Sequence, residues 1–431
     1  MNNAGQWMIA GVLMLLSLIA PAQKKVLPAF RVQQVPNGKI YSIVQTDPHY
    51  TFDSARYTIF IPDSMPSLNG VFIHQHGCTM EGTGAAAAYD LQYQAFAKKW
   101  HLAIVGPDLY SAKGNCHNWR DVASGSGTAL IKALDDIGTV SGNRRLVTLP
   151  WLLWGHSGGG YWALSMLQRY PERILAVFGY SPAFDPGAYP PAAFKVPVML
   201  RHAGPEGDTC CWQTSIKEFG KLRSRGGYAG IAYTPRQTHN YSYVRYMAIP
   251  FYEAVMQQRL PSEQGAPYTA MQPVDDSKAW LADTMHYNLY PAATYPGASL
   301  CAAWLPDAAT AAKWREYVLT GTVIDQTPPP PPYSLQRTRK PHGRAMVTWK
   351  ADADIESGIS HFNIYRNNVL IARLPSTGSF QQFDTNGDNA EPLVLPEMKQ
   401  ELAYPENDPG RIAVSTVNHF GLESERIPAA L

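Results

Sequence analysis

The stretch "WLLWGHSGGGYWAL", residues 151–164, decides how the chain is read. An apolar run, Trp151–Trp154, meets a cluster of glycines around Ser157, and a helix-like apolar spacing follows. A short apolar run bounded by glycine reads as a buried strand, and the spacing after it as a helix. Ser157 then sits on a strand-to-helix turn. It is either a nucleophile raised on a sharp bend or a small residue that caps the helix.

Outward from that turn, residues 57–260 alternate between the two periods. "RYTIFIPD", "GVFIHQHG", "LAIVGPDLY", "WLLWG", "ILAVFGYS", "VPVMLRHAG" and "AGIAYTP" read as strands. "GTGAAAAYDLQYQAFAKKW", "SGTALIKALDDIG", "GGYWALSMLQRY", "CWQTSIKEFGKLRSRG" and "SYVRYMAIPFYEAVMQQRL" read as helices. Short apolar strands alternating with helices predict an α/β architecture, with a mostly parallel sheet covered on both faces.

The rest of the chain falls into separate pieces, as its 431 residues lead one to expect. Residues 1–22 have the form of an export signal. Their apolar core, Met8–Ala20, is about 13 residues long, short of the roughly 20 a membrane helix needs, and Ala20-Pro21-Ala22 offers small residues for cleavage. The expected location is therefore secreted or periplasmic. Residues 26–260 form the main domain and 261–327 an extension packed on it, in which Asp307 opens a helix that ends at Gly321. Five consecutive prolines, Pro328–Pro332, predict a stiff linker. Residues 333–431 alternate in the strand period, with Asn367-Asn368 at a hairpin turn. Their core Trp349, "DIESGI" turn, "IYRNN" hairpin and "VN" to "ES" ending resemble a fibronectin type III domain, a small all-β sandwich, although Ile412 stands where that family places a corner tyrosine.

Composition narrows the partners. Hydrophobic residues make up 45% and charged residues 16%, with a net charge of +2 and no basic run. Nucleic acid and stable membrane association are not expected. Five cysteines, Cys78, Cys116, Cys210, Cys211 and Cys301, leave at least one unpaired in a monomer, and no CxxC or zinc-type spacing is present.

The chemistry-bearing residues occur in a telling order. Gly155-His156-Ser157-Gly158-Gly159 fits G-x-S-x-G in its strand–turn–helix context. The strand "VPVMLRHAG" ends in "PEGD", which puts Asp208 beyond a strand's C-terminal edge with Glu206 as the competing acid. His239 lies on the loop after the next strand. Nucleophile, acid, then histidine is the chain order of the α/β-hydrolase fold. In that scheme Ser157 attacks, His239 takes its proton and Asp208 orients the imidazole. The oxyanion donors are the amides of Gly158 and Cys78, the latter on the loop after "VFIHQ". His74 and His76 share a strand face and could be read as a metal pair, but no third ligand is evident, so neither metal nor cofactor is expected.

"HGCTMEGTGAAAAYDLQYQAFAKKWHLAIVGPD", "GNCHNWRD" and "GHSGGGYWAL" together resemble exported esterases related to poly(3-hydroxybutyrate) depolymerases and to feruloyl and acetylxylan esterases. The resemblance spans roughly residues 57–260 and implies a Cys78–Cys116 disulfide. It also implies Trp119 as a subsite residue; with it, His76 and His156 are the candidate substrate-binding residues. The acid loop, Gly204–Asp208, is longer than that group's, and the vicinal Cys210-Cys211 is a second departure. The short interval between the strands ending at Tyr180 and starting at Val196 leaves no room for a lid domain, so "SPAFDPGAYPPAAF" should form an aromatic rim beside an open cleft. The implied activity is secreted ester hydrolysis, on feruloyl or acetyl groups of polysaccharides or on hydroxyalkanoate polyesters. The C-terminal domain would contact polymer or a cell surface. Two alternatives stand beside it: a serine peptidase of the prolyl-oligopeptidase kind, and an inactive carbohydrate-binding or adhesion protein.

Overall fold

A computed structural model describes residues 29–430 except 64, 66, 81, 113–115, 241–242, 261–268, 382–396 and 404–409. The expected export signal at 1–22 lies outside the described residues.

The large sheet is built from β1 (Phe30–Val35), β2 (Gly38–Gln45), β3 (Ser54–Pro62), β4 (Gly70–Gln75), β5 (Leu102–Tyr110), β6 (Trp151–His156), β7 (Ile174–Tyr180), β8 (Val198–His202) and β9 (Ala229–Tyr233). Around it lie α1 (Ala86–Tyr89), α2 (Leu91–Trp100), α3 (Ser126–Ser141), α4 (Gly158–Arg169), α5 (Gly204–Gly207), α6 (Trp212–Arg223) and α7 (Arg245–Arg259). The strand order is β1-β2-β3-β5-β4-β6-β7-β8-β9. β1, β2 and β3 run antiparallel to their neighbours, and from β5 to β9 every pairing is parallel. With helices on both faces, this is the α/β-hydrolase fold.

The physical basis is plain in the burial. Every residue of β4, β6, β7 and β8 is buried, as a parallel sheet covered on both faces requires. β2, at the antiparallel end, largely alternates buried with exposed positions. The run 82–100 forms two helices rather than one. Asp90 is extended and accepts from the amides of Gln92 and Tyr93, so it caps α2 and breaks the helix before it.

Beyond α7, β10 (Trp280–Ala282), β11 (Leu289–Pro291) and β12 (Ala303–Leu305) form a small sheet, followed by α8 (Ala308–Thr320). Asp307 caps α8 through the Thr310 amide, and Gly321 ends it in the left-handed region. Trp314 of α8 donates its indole N–H to the Ile231 carbonyl of β9 at 2.9 Å, so the extension packs along the last strand of the large sheet.

The C-terminal unit is a β sandwich. One sheet holds β13 (Tyr333–Lys340), β14 (Arg344–Lys350) and β17 (Lys399–Ala403). The other holds β15 (His361–Arg366), β16 (Val369–Leu374), β18 (Ile412–Val417) and β19 (Ile427–Pro428). Trp349 packs edge-on against Phe362 between them. The proline run does not stand free of the rest of the protein. Pro329 and Pro332 are buried, and the sandwich is docked on the main domain. Lys98 pairs with Asp352, Gln92 donates to the Ile355 carbonyl and Lys313 pairs with Glu356. Among the described residues no helix is long and apolar enough to cross a membrane.

Candidate active site

Ser157 stands between β6 and α4 with φ 54° and ψ −115°, a conformation rare for a residue with a side chain. The bend is held by its neighbours: Ser157 N donates to the Tyr180 carbonyl, and Ser157 O accepts from Tyr161 and Ala183. Two glycines are obligatory here. A Cβ at Gly155 would lie 2.0 Å from the Gly159 carbonyl oxygen, and one at Gly158 would lie 2.2 Å from Cys78 Sγ. The sharp turn is thus bought by close backbone packing, and it leaves Ser157 half-exposed in an otherwise buried segment.

Asp208 follows β8 and α5, and His239 follows β9, at the same edge of the sheet as Ser157. His239 Nδ1 lies 2.7 Å from Asp208 Oδ1. With Nδ1 donating to the carboxylate, Nε2 is left as the acceptor. Asp208 is fully buried, whereas Glu206 is exposed on α5, so Asp208 is the carboxylate at the imidazole. Burial raises the Asp208 pKa. Hydrogen bonds from His239 and Ser181, with the charges of His239 and Arg201, outweigh that and hold the carboxyl below its ordinary value. The Ser157 hydroxyl makes no hydrogen bond among the described residues, the loose arrangement common before a substrate binds.

The amides expected to bind an oxyanion are neighbours. The Cys78 nitrogen lies 3.4 Å from where a Gly158 Cβ would be, and Gly158 begins α4, where backbone N–H groups lack helical partners. Cys78 and Cys116 are bridged, which ties this loop to the turn at Cys116–Asn118. Cys210 and Cys211 are also bridged, and Cys301 is free and exposed. Cys210 Sγ lies 3.7 Å from Asp208 Oδ1 and 3.6 Å from His239 Nδ1, so the vicinal bridge flanks the acid–base pair.

Three residues expected to line the substrate are placed behind the site instead. β4 ends at Gln75, so His76 leaves the strand period and turns inward. It is fully buried, accepts from the Leu109 amide at Nε2 and packs 5.1 Å from the equally buried Trp119 ring. Neither can reach a cleft. His156 is buried between Tyr180 and His239, with Nε2 3.1 Å from the His239 carbonyl oxygen. It braces the loop of the histidine rather than a ligand. His74 sits in an aromatic cluster with Phe72, Tyr93 and Trp154.

Other contributors carry no sequence motif. Arg201, at the end of β8, is fully buried. It donates to the Thr238 carbonyl at 3.0 Å and to Gln237 Oε1 at 2.8 Å, holding the loop that carries His239. Gln237 in turn donates to the Gly321 carbonyl, so the end of α8 braces the same loop. A charged residue inside the apolar strand "VPVMLRHAG" was the available signal, since buried arginine is rare without a partner. Two groups bring potential metal-ligating atoms together: Asp208, Cys210, Cys211 and His239, and Asp325, Asp354 and Glu356. In the first the sulfurs are bridged, and in the second Asn418 Nδ2 already donates to both aspartates.

No protein-family model matches the chain, and no curated protein does. Among solved structures it is similar to a thermostable esterase, at 16% identity and TM-score 0.35, covering 46% of this chain and 55% of that one. It is also similar to poly(aspartic acid) hydrolase-1 from Sphingomonas sp. KT-1, at 13% identity and TM-score 0.36, covering 48% of this chain and 94% of that one. An S-formylglutathione hydrolase from Agrobacterium tumefaciens aligns at 13% identity and TM-score 0.36, covering 53% of this chain and 96% of that one. Superpositions this loose bear on neither activity nor substrate.

Proposed function

We propose that this chain is an exported serine esterase. The observation that carries the reading is the convergence of a strained Ser157 turn with the 2.7 Å Asp208–His239 bond at one edge of the sheet. In this reading Ser157 Oγ attacks the ester carbonyl as His239 Nε2 takes the hydroxyl proton. Asp208 fixes the imidazole tautomer and stabilises the imidazolium. The amides of Cys78 and Gly158 receive the oxyanion. His239 then gives the proton to the departing alcohol, and water repeats the sequence to release the acid.

The segment between β7 and β8 supports an accessible cleft. It holds a short 3-10 turn, Pro191–Lys195, and no larger element. That favours acyl groups on polysaccharides or hydroxyalkanoate polyesters as substrates, with the fibronectin type III-like sandwich as a polymer- or surface-contacting unit. The two bridges favour an oxidising compartment, with a mature N-terminus beyond Ala22.

The test is hydrolysis of 4-nitrophenyl butyrate by the wild type and Ser157→Ala. A fall of at least about 10³-fold in kcat is expected. Equal rates would end the reading. Methyl ferulate, acetylated xylan and a polyhydroxybutyrate film, compared side by side, then separate the substrate classes.

A further inference from the structure

The rim around Ser157 is tied to the serine's own backbone. Its carbonyl accepts from Tyr161 at 3.1 Å and from Ala183 at 3.0 Å, which fixes the Tyr161 ring and the adjacent Phe184. On the opposite side Gly158 packs on the Cys78–Cys116 bridge, and the Cys116 carbonyl accepts from the Arg120 amide at 2.9 Å. The two sides meet at the Arg120 side chain. Its guanidinium carbon lies 3.4 Å from the Phe184 ring centroid and 5.3 Å from that of Tyr161.

This cation is only partly compensated by the charges around it. It makes a hydrogen bond with His117 Nε2 at 3.3 Å, which needs that nitrogen as an acceptor. Asp121, next in sequence, is engaged elsewhere: it accepts from the Ala123 amide, the Tyr161 hydroxyl and the Ser165 hydroxyl. Among the described residues no carboxylate lies within ion-pair distance of Arg120. Arg245, Lys98 and Lys221 are paired with carboxylates, and the buried Arg201, Arg223 and Arg259 each donate to two or more carbonyl or amide oxygens, whereas the Arg120 guanidinium has His117 as its hydrogen-bond partner. Burial lowers the Arg120 pKa, and the charges of Tyr161 and Asp121 do not make up the loss. An anion at its free edge would relieve that cost.

We propose that Arg120 receives an anionic group of the substrate, so that the esters preferred here carry a carboxylate close to the scissile bond. The inference rests on Ser157 being the nucleophile. The carboxylate can sit on the acyl or on the alcohol side, and Phe184 stacks behind the guanidinium while its N–H edge faces the ligand. A role confined to packing Phe184 would affect charged and neutral esters alike, which separates the two.

The experiment compares matched ester pairs on the wild type, Arg120→Met and Arg120→Lys. The acyl-side pair is 4-nitrophenyl hemiglutarate against 4-nitrophenyl valerate; the alcohol-side pair is 4-acetoxybenzoate against 4-methylphenyl acetate. In at least one pair the anionic-to-neutral ratio of kcat/KM should fall about tenfold or more in Arg120→Met and partly recover in Arg120→Lys. The wild-type ratio should also shrink at about 0.5 M salt. Ratios within twofold of wild type in both pairs of Arg120→Met overturn the proposal, and so does an equal loss on both members of each pair. If Arg120→Met does not fold, a wild-type ratio indifferent to salt overturns it. Undiminished hydrolysis of the neutral esters by Ser157→Ala would instead overturn the serine reading.

Discussion

Asp208 at the candidate site and Asp354 at the domain junction are both buried carboxyls, with 0% and 4% of their surface exposed. Burial pushes both pKa values up, yet the two end on opposite sides of the ordinary value. Asp208 faces His239, Ser181 and Arg201, and is held low. Asp354 faces Asp325, whose own carboxyl is held low by Ser357 and Thr327, and burial together with that charge pushes Asp354 up to about 7. The hydrogen bonds to Asp354 from Asn418 and the Glu356 amide oppose the rise without cancelling it. The sign is set by the neighbour, not by depth. One site keeps an anion beside the His239 imidazole, and the other keeps a proton between two acids.

The sharpest way to break this contrast is to remove the charge at Asp208. Asp208→Asn keeps the volume but presents an amide to His239 Nδ1, favouring the wrong tautomer. A fall of about 10³–10⁴ in kcat on 4-nitrophenyl butyrate is expected, with Glu206→Gln as the exposed comparison staying within about twofold. Equal losses in the two variants would show that Asp208 is not the functional acid.

A smaller effect is expected at Arg201. Arg201→Met strands the Thr238 carbonyl and takes the nearby cation from Asp208, so its carboxyl should rise. The acid limb of the kcat/KM profile should move to higher pH, and stability should drop by on the order of 3 kcal/mol in urea titrations. Arg201→Lys should restore part of the profile. A loss of stability with an unmoved pH profile would reduce Arg201 to a loop brace.

How far these features could be read without coordinates follows the range of the interactions. The strand–helix alternation and the positions of Ser157, Asp208 and His239 beyond strand ends were legible because each depends on a local pattern, a buried strand followed by a turn residue. β1 was not, since "FRVQQV" is mostly exposed and pairs only along one edge. His76 misleads because the strand stops at Gln75, before the histidine that its pattern includes, and its ring is held by the distant Leu109 amide. Trp119 is hidden by that same packing. Arg201 and Ser181 reach Asp208 across separate strands, and Lys98 meets Asp352 across the domain boundary, contacts that no spacing encodes.

The junction offers the gentlest test. Asp354 is surrounded by Asp325, Asn418 and Ser357; Glu356 is bonded to Thr327, and Lys313 pairs with Glu356 rather than with either aspartate. In the unfolded chain Asp354 titrates at its ordinary value near 4, whereas in the folded chain it does so at about 7. Between those values the folded state holds the extra proton, so its contribution is complete below pH 4 and is lost as pH rises through 7. The slope cannot exceed about 1.4 kcal/mol per pH unit for one proton, and the lowered Asp325 acts only below that window. Asp354→Asn replaces the titrating proton with an amide N–H that can donate to Asp325 at any pH. The variant should match the wild type near pH 4 and exceed it in urea midpoint at pH 8. A wild type whose stability does not fall between pH 5 and 8, or a variant that falls in parallel with it, would mean that the second acid finds its counter-charge elsewhere, and the contrast with Asp208 would then lie in solvent access rather than in neighbours.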